Sequence, residues 1–541
     1  MNIRFEGRQR TLFVATILLG SFLLFLVQPL VARMALPLLG GAPNVWNSAM
    51  LVYQALLLGG YAYAHALSRL PIRRQATIHL AAMALAALTL PIALADLAPA
   101  APGWEVLWVP ALLLVTVGPL FFVVSAQAPM MQRWYAADAK AGDPYWLYAA
   151  SNLGSFAGLI SYPLLFEPLL PVASQSWVWA AGYAALFALV LLAALARRST
   201  GVSGDAAAGR PVGTLGWRRI ALWLALSAVP SGLILSTTTH LTTDIVAMPL
   251  LWVMPLGLYL LSFTLAFNER SHLAHALSRS APIVILLAGS LAMVSKGSDS
   301  MSGAIAAVAM LFVVAVALHR RLYTLRPEPA RLTAFYLTMS AGGVLGGAFT
   351  ALLAPVIFDW IWEHPLLVIA AAALLPSRAL VPVLAGLDPR GQRIARLLLV
   401  CAAVGLGWLM SRGMTTGNEM LVLGMTLVMA AIGVVVLGAR WAFLAVLVVL
   451  MLSRGGYETL AVSVSGQRDR SYFGVYTIRD TANDNARLLL HGTTLHGKQQ
   501  QGPGEEREPT TYYGRTSGVG LVLRAAPAIY GDDLRVGVVG L

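Results

Sequence analysis

Cysteine is nearly absent from this sequence, and charged residues are scarce. The single cysteine, Cys401, lies within an apolar run, so the chain has neither an internal disulfide nor a cysteine-based metal site. Only 11% of the residues are charged, whereas a soluble globular chain carries about 25%. With 58% hydrophobic residues over 541 positions, the chain has too little polar surface to cover itself in water. A lipid bilayer is the solvent that fits this composition.

Acidic residues are outnumbered by basic ones, 24 against 37. Residues 1–453 carry 27 basic and 15 acidic residues, whereas residues 454–541 carry 10 and 9. The excess of positive charge therefore lies between the apolar runs, where it indicates membrane orientation. We expect no nucleic-acid partner, because the sequence has neither zinc-finger spacing nor an aromatic–basic stripe.

Long apolar runs dominate the first 453 residues. A helix that crosses a bilayer needs about 20 apolar residues, and fourteen runs qualify: 11–38, 45–68, 76–95, 106–132, 145–166, 175–196, 219–238, 245–267, 281–295, 301–318, 332–358, 364–386, 394–411 and 418–438. A shorter run, 441–453, follows them. We expect an all-α polytopic protein with about fourteen transmembrane helices, embedded in a bacterial-type inner (plasma) membrane.

Basic residues occupy every second loop between these runs. Twenty-three of them fall in one set of loops, whereas the other set holds only Lys296 and Arg412 beside eight acidic residues. By the positive-inside rule the first set is cytoplasmic, and so is the N-terminus. Fourteen spans would leave the C-terminal segment inside, and fifteen would leave it outside.

The loop at 197–217 is rich in glycine, serine and alanine and separates six spans from the rest. Six spans, a flexible cytoplasmic loop and further spans are typical of a transporter of the major facilitator type. We therefore predict a first six-helix bundle at 1–196, a cytoplasmic linker at 197–218 and a second bundle with extra helices at 219–453.

The pattern changes from about residue 455. Aromatic and β-branched residues alternate in YETLAVSVS and SYFGVYTIRD, a turn signal follows at 483–485, and RLLLHGTTLHG forms a second run. This order predicts a β-hairpin. The stretch TSGVGLVLRAAP indicates a short helix, and LRVGVVGL at 534–541 indicates a hydrophobic strand.

Several long strings point to a family. They are FLLFLVQPLVARMALPLLGGAPNVWNSAMLVYQALLLGGYAYAH, SAQAPMMQRWY, DPYWLYAASNLGSFAGLISYPLLFEP and TTDIVAMPLLWVMPLGLYLLSF in the membrane part, and RSYFGVYTI, LLLHGTTLHGKQ, TTYYGRTSGVGL and RVGVVGL after it. With these strings, nearly the whole chain resembles the fused proteins that join a major-facilitator-like membrane domain to a spermidine-synthase-like (polyamine aminopropyltransferase) domain.

The resemblance implies that 455–533 is the small N-terminal β-domain of the synthase, and that 534–541 is the first strand of a Rossmann-like domain truncated at its start. Gly540 would open the glycine-rich cofactor turn. Such enzymes transfer an aminopropyl group from decarboxylated S-adenosylmethionine to putrescine, and their catalytic residues are expected beyond residue 541. We expect this chain to be inactive as a transferase and to bind no cofactor alone. A cytosolic donor would place the C-terminal segment in the cytoplasm, which favours fourteen spans.

The chain departs from the synthase pattern at three places. His491-Gly492 replaces an Asp-Gly turn, Tyr512-Tyr513-Gly514 replaces a Tyr-His-Glu string, and Gly474 replaces a glutamine. These departures favour another amine than putrescine, or another sulfonium-dependent transfer. The candidate substrate-binding residues are Tyr512, Tyr513, His491, His496 and Gln499. Alternatively, the two histidines are polar residues on a solvated hairpin face, and the two tyrosines are core aromatics. We predict no metal because no third ligand accompanies the histidines.

Five polar residues fall within or beside the spans: His240, Asp244, Gln28, Gln127 and Asn152. Polar groups inside a membrane are costly and often functional, so His240 and Asp244 are candidates for binding a cation or relaying a proton. The alternatives are a capped helix end for this pair, a packing kink at Gln28-Pro29, and hydrogen bonds between helices for Gln127 and Asn152.

Three functional hypotheses remain. The first is a membrane-tethered spermidine-synthase-like enzyme whose catalytic core is missing here. The second is a secondary transporter of polyamines or related small cations, although the spans hold few charges, chiefly Arg33. The third is a membrane part that serves only as an anchor.

Overall fold

A computed structural model describes residues 2–136, 145–198, 216–245, 252–295, 301–327, 331–415, 418–481, 485–531 and 533–537. Within these ranges the chain is mostly helical. The helices are α1 (Asn2–Leu39), α2 (Pro43–Leu67), α3 (Ile72–Ala86), α4 (Glu105–Ala136), α5 (Tyr145–Ser161), α6 (Glu167–Leu169), α7 (Val172–Arg198), α8 (Trp217–His240), α9 (Val253–Ala266), α10 (His272–Leu287), α11 (Met301–Thr324), α12 (Leu332–Ala348), α13 (Ala354–Ile357), α14 (Glu363–Leu374), α15 (Pro389–Thr415), α16 (Glu419–Val436), α17 (Arg440–Met451), α18 (Tyr457–Val464) and α19 (Gly518–Tyr530).

Length and composition make this an integral membrane fold. Among the described residues, nine helical segments are long and apolar enough to cross a bilayer, and α9, α14 and most of α16 form shorter apolar helices. Many large apolar side chains on the outer surface are exposed, including Leu107, Leu153, Leu398 and Leu423. Lipid is the environment in which such a surface is stable. The predicted all-α polytopic fold is confirmed.

The helices before α15 form two halves with the same packing order. In the first half (α1–α7), α1 packs along α5 and α2 packs along α4; in the second half (α8–α14), α8 packs along α12 and α9 packs along α11. The second helix of each half also contacts the fifth helix of the other half, α2 against α12 and α9 against α5. The two halves are therefore related as repeats around a central interface.

Glycines permit the close approach within each half. A Cβ on Gly154 or Gly158 of α5 would collide with the carbonyl oxygens of Leu18 and Phe22 on α1. In the same way, a Cβ on Gly346 of α12 would collide with a carbonyl oxygen of α8. Small residues four apart let helix backbones touch in a membrane. Each of these fifth helices then passes through a π-helical turn, Tyr162–Phe166 and Phe349–Leu353.

Helices α15, α16 and α17 pack on one another and against the second half. The helical segment that begins with α17 continues past residue 453 through a π-helical turn at Leu452–Gly456, kinks at Gly455 with a φ of +147°, and leads into α18. By length and composition, Arg440–Val464 is one candidate span of 25 residues. The prediction of strand for YETLAVSVS is wrong, because Tyr457–Val464 is the helix α18.

The C-terminal sheet has four antiparallel strands in the order β1-β2-β3-β4, namely Arg468–Ser471, Gly474–Thr481, Ala486–His491 and Thr494–Gln500. The predicted hairpin is confirmed as the β2–β3 pair, in which Thr481 lies opposite Ala486. Two-residue turns join β1 to β2 and β3 to β4. The predicted short helix is α19, whereas residues 534–537 have no regular structure and Gly540 lies outside the described residues.

The sheet lies against one end of the bundle, where α1 and α8 end and α2 and α14 begin; we call this end the sheet face. Asn44, at the start of α2, donates to the carbonyl of Tyr472 at 2.6 Å. The helix ends that are rich in arginine lie at the opposite end of the bundle. There, Arg133 of α4 donates to the carbonyl of Ser68, just after α2 ends, at 2.6 Å. We call that end the arginine face.

The N-terminal end of α1 lies at the arginine face, because α1 crosses the bundle and ends at the sheet face. The N-terminus and the sheet are therefore on opposite faces. The expectation that the N-terminus and the C-terminal segment share the cytoplasmic side does not hold in this structure. The reason is the additional crossing by Arg440–Val464.

We predict that Gly158→Ala and Gly346→Ala each destabilise the protein by about 1–3 kcal/mol, the usual effect of overpacking. The added methyl group would force apart two backbones in contact. Thermal unfolding of the purified protein in detergent measures the change.

Gly343→Ala is the matched control, since no atom lies within 4 Å of a Cβ at Gly343. Alanine is favoured over glycine in a helix by roughly 1 kcal/mol, so this variant should unfold at the same or a higher temperature. Equal losses in all three variants would contradict the glycine-mediated contact.

Candidate functional site

A cavity of about 570 Å³ lies at the sheet face, between the two halves and beneath the sheet. Its walls come from both halves and from the C-terminal segment. The lining includes Arg33, Trp46, Leu113, Glu167, Thr238, Thr242, Thr243, Trp252, His491, Gly492 and Thr494. The volume is in the range of small-molecule sites, about 300–1,000 Å³.

One ion pair marks the wall from the first half. Nε of Arg33 on α1 lies 3.5 Å from Oε1 of Glu167, where α6 begins after the π-helical turn of α5. Both side chains are partly accessible, at 44% and 25%. Because both charges face the cavity, each is available to an opposite charge on a bound solute.

Aromatic and hydroxyl groups form the opposite walls. The Trp46 ring of α2 stacks on that of Trp252, just before α9, with centroids 3.5 Å apart. Thr238 and Thr242 lie one turn apart at the end of α8, and both hydroxyls donate back to carbonyls of their own helix. Each hydroxyl oxygen still has acceptor capacity for a solute.

The β3–β4 turn forms the roof of the cavity. Gly492 has a φ of +59°, a conformation that favours glycine, and a Cβ there would lie 2.7 Å from the carbonyl oxygen of Thr243. Gly474 on β2 faces the His491 ring so closely that a Cβ would collide with it. Packing at this roof therefore requires glycine at both positions 474 and 492.

The His491 ring lies between the sheet and the cavity. It stacks on Tyr476 with centroids 4.5 Å apart, and His496 lies 5.7 Å away. Burial lowers the pKa of His491 below 6.5, the neighbouring His496 lowers it further, and a backbone hydrogen bond at Phe473 acts in the opposite direction. These surroundings therefore favour the neutral form of His491.

Of the other C-terminal candidates, His496 and Tyr512 are brought together, but not at the cavity. The Tyr512 hydroxyl donates to the carbonyl of His496 at 2.9 Å, and the Tyr513 ring lies 4.5 Å from the Tyr512 ring. Gln499 donates weakly to the carbonyl of Glu506 at 3.4 Å. Only His491 of the five lines the cavity.

His240 has a neighbour that sequence reasoning missed. Its ring stacks on His364 of α14, with centroids 4.7 Å apart, and Nδ1 of His364 lies 3.1 Å from the Ser236 hydroxyl. Both histidines are buried. Asp244 lies on the π-helical turn after α8, and its side chain is outside the described residues.

The three intramembrane amides lie in the first half. Gln28 donates to the carbonyl of Leu24 at 3.2 Å, and Gln127 is buried against Gly20 with no hydrogen-bond partner among the described residues. Asn152 is half-buried on α5. None of the three lines the cavity. Within the described residues there is also no group of three or more metal-ligating side chains.

Sequence reasoning also missed the aromatic pair and the charged pair of the cavity. Trp46 and Trp252 are far apart in sequence and come from different halves, so no local pattern connects them. Arg33 and Glu167 carried a usable signal, because each is a charge at the edge of an apolar run. Their pairing depends on the packing of α1 along α5.

No family model matches this chain, and no curated protein does. Among solved structures, the nucleoside transporter NupG aligns with a TM-score of 0.44 and 14% identity, over 69% of this chain and 98% of its own. The human organic anion transporter MFSD10 (TETRAN) aligns at 0.41 and 15%, over 68% and 98%. A bacterial homologue of the human lysosomal transporter Spinster, inward-facing and unoccupied, aligns at 0.41 and 14%, over 84% and 97%. No comparison supports the resemblance to spermidine synthases, which stays a prediction.

We predict that acid weakens the roof through His491. Because the folded state lowers the pKa of His491, the unfolded state binds more protons in this range, and stability rises with pH. The contribution is complete above the ordinary pKa of 6.5 and is lost as the pH falls through that value toward the lower folded pKa. Thermal unfolding measured from about pH 8 to pH 5 tests this contribution. The range is centred on the pKa of about 6.5 that histidine has in the unfolded state.

The variant His491→Gln should unfold with a smaller loss at acid pH than the parent protein. The exposed His272 at the start of α10 provides the control, and His272→Gln should keep the parental profile. The titratable rings beside His491 are Tyr476 and His496, and the charged residues Arg33 and Glu167 line the same cavity. An unchanged profile in His491→Gln would contradict the assignment of the acid effect to His491.

Proposed function

We propose that this protein is a secondary transporter that binds a small polar organic solute between its two helical halves. The observation that carries the proposal is the cavity at the interface of two repeats, lined by an ion pair, aromatic rings and hydroxyls. Transporters built from repeats place their substrate site at the repeat interface. The glycine-packed helices inside each half supply rigid bodies that can move relative to each other.

The charges of the cavity favour a zwitterionic or neutral solute. Arg33 and Glu167 offer one positive and one negative group 3.5 Å apart. A solute with a carboxylate and an ammonium group can replace each partner of that pair, while the threonine hydroxyls and Trp46 accommodate its remainder. A polyamine fits less well, because Glu167 is the one carboxylate among the described lining residues and Arg33 would repel it.

The positive-inside rule supports a sidedness for the site. The arginine face carries the basic loops, so we infer that it is cytoplasmic and that the sheet face is extracytoplasmic. The cavity would then exchange solute with the outside when the sheet face opens. A sheet on that side would not meet a cytosolic sulfonium donor, so aminopropyl transfer with decarboxylated S-adenosylmethionine has no support from this geometry.

We predict that proteoliposomes containing the full chain take up small zwitterionic solutes, such as labelled amino acids, under a proton or sodium gradient. Arg33→Gln and Glu167→Gln should each lower uptake at least about tenfold, the effect of losing one charge-assisted hydrogen bond to the solute. Radiolabel accumulation measures the rates.

Glu269→Gln serves as the control, because Glu269 forms an exposed 4.0 Å ion pair with Arg326 far from the cavity. It should keep the parental rate. Faster uptake of spermidine than of any zwitterion would favour the polyamine hypothesis. No uptake of either class under any gradient would contradict the transporter proposal.

The sidedness is predicted separately. In a Cys401→Ser background, Glu505→Cys in the exposed loop after β4 should react with a membrane-impermeant maleimide in intact cells. Asp388→Cys, exposed before α15 at the arginine face, should react only after lysis. The reverse pattern would place the sheet in the cytoplasm.

A further inference from the structure

The turn between β1 and β2 contacts the first half of the bundle through Tyr472. Its hydroxyl lies 2.8 Å from the hydroxyl of Ser48 and donates to the carbonyl of Asn44 at 3.1 Å. The Asn44 amide donates in return to the carbonyl of Tyr472. The ring is buried, so this turn is inserted into the start of α2.

Two residues earlier, Arg470 contacts the second half. Its guanidinium donates two hydrogen bonds to the Glu363 carboxylate, at 2.8 and 2.9 Å, and one to the carbonyl of Trp360 at 2.8 Å. Both charged side chains are almost completely buried, at 1% and 0% exposed. Loss of one partner of such a pair leaves an uncompensated buried charge, which is strongly destabilising.

The short distance between these two anchors is the important feature. Residues 470 and 472 are two positions apart, and a chain extends by no more than about 3.3–3.6 Å per residue. The two anchors are therefore joined at the sheet face by a backbone segment of at most about 7 Å, and each anchor reaches its half through one side chain. Separation of the halves by several ångströms at this face would break one anchor.

Further contacts secure the rest of the sheet to the second half. Arg468 donates to the Ser295 hydroxyl at 2.7 Å, and Arg479 donates to the carbonyl of the same residue at 2.7 Å. Val475 packs against Trp360. Among the described residues, the second half contacts the sheet at several points, whereas the first half contacts it at Tyr472, so the attachment to the first half is the weaker one.

We propose that the C-terminal sheet is a clamp on the transport site: it binds both halves at the sheet face, keeps that face closed over the cavity, and must release the first half at Tyr472 before the cavity opens. The proposal rests on the transport function, because it concerns access to the same cavity. It assigns a regulatory role to the segment that the sequence connects with spermidine synthases. A condition that weakens the anchors opens the site without touching the solute.

The test uses the full chain in lipid nanodiscs, where both faces are accessible, so it depends on neither a substrate nor the orientation. Thr238→Cys in the Cys401→Ser background reports opening, since Thr238 lines the cavity and is buried. The rate at which maleimide modifies the thiol introduced at position 238 is then compared between clamp variants. Arg470→Met should raise the rate at least tenfold, and Tyr472→Phe, which removes only the hydroxyl contacts, about threefold to tenfold, the effect of one or two hydrogen bonds.

Arg487→Met is the matched control. Arg487 lies in the same sheet and forms an ion pair with Asp480 at 2.8 Å. Both side chains are exposed, and their pair joins β3 to β2 rather than the sheet to a helix. It should leave the modification rate unchanged. If Arg470→Met fails to fold, Tyr472→Phe tests the clamp by itself, because that variant preserves the buried ion pair.

Equal rates in Tyr472→Phe and Arg487→Met, both no faster than the parent, would overturn the clamp. The two proposals fail separately: faster modification without uptake of any solute would retain the clamp and contradict transport. Uptake with modification rates unaffected by the anchors would retain transport and contradict the clamp.

Discussion

The buried ion pair between Arg470 and Glu363 is the interaction on which the arrangement at the sheet face depends. Each charge has lost almost all contact with solvent, so each is stable there only with the other in place. The pair fixes β1 on α14, and the adjacent Tyr472 then reaches α2. With β1 fixed, the β3–β4 turn lies over the cavity, and Gly492 contacts the end of α8. The roof of the site thus follows from one charge-assisted contact between segments 107 residues apart.

The sequence predicted the parts of the fold that depend on local pattern. Apolar runs predicted the helices. Glycines four residues apart are a further local signal, since Gly154 and Gly158 contact α1, and Gly342 and Gly346 contact α8. YETLAVSVS was misread because its β-branched residues favour a strand, whereas it forms the helix α18 after a kink at Gly455. Tertiary context overrides such local preferences.

The site was less predictable, because its walls come from segments without a shared pattern. His240 was singled out, but its partner His364 lies on α14 and belongs to no motif. The family resemblance selected residues of two different neighbourhoods: His491 lines the cavity, whereas Tyr512, Tyr513 and Gln499 do not. Arg33 and Glu167 could each be recognised as a charged residue in or beside an apolar run. The distance between them depends on how α1 and α5 pack.

The order of the walls along the chain has a consequence for biogenesis. The floor of the cavity comes from residues 32–49 and 238–252, whereas its roof comes from residues 473–494. During synthesis the two halves are therefore inserted and packed well before the segment that covers them leaves the ribosome. Until the sheet is made, the helix contacts of the bundle must hold the floor of the cavity in place without its roof.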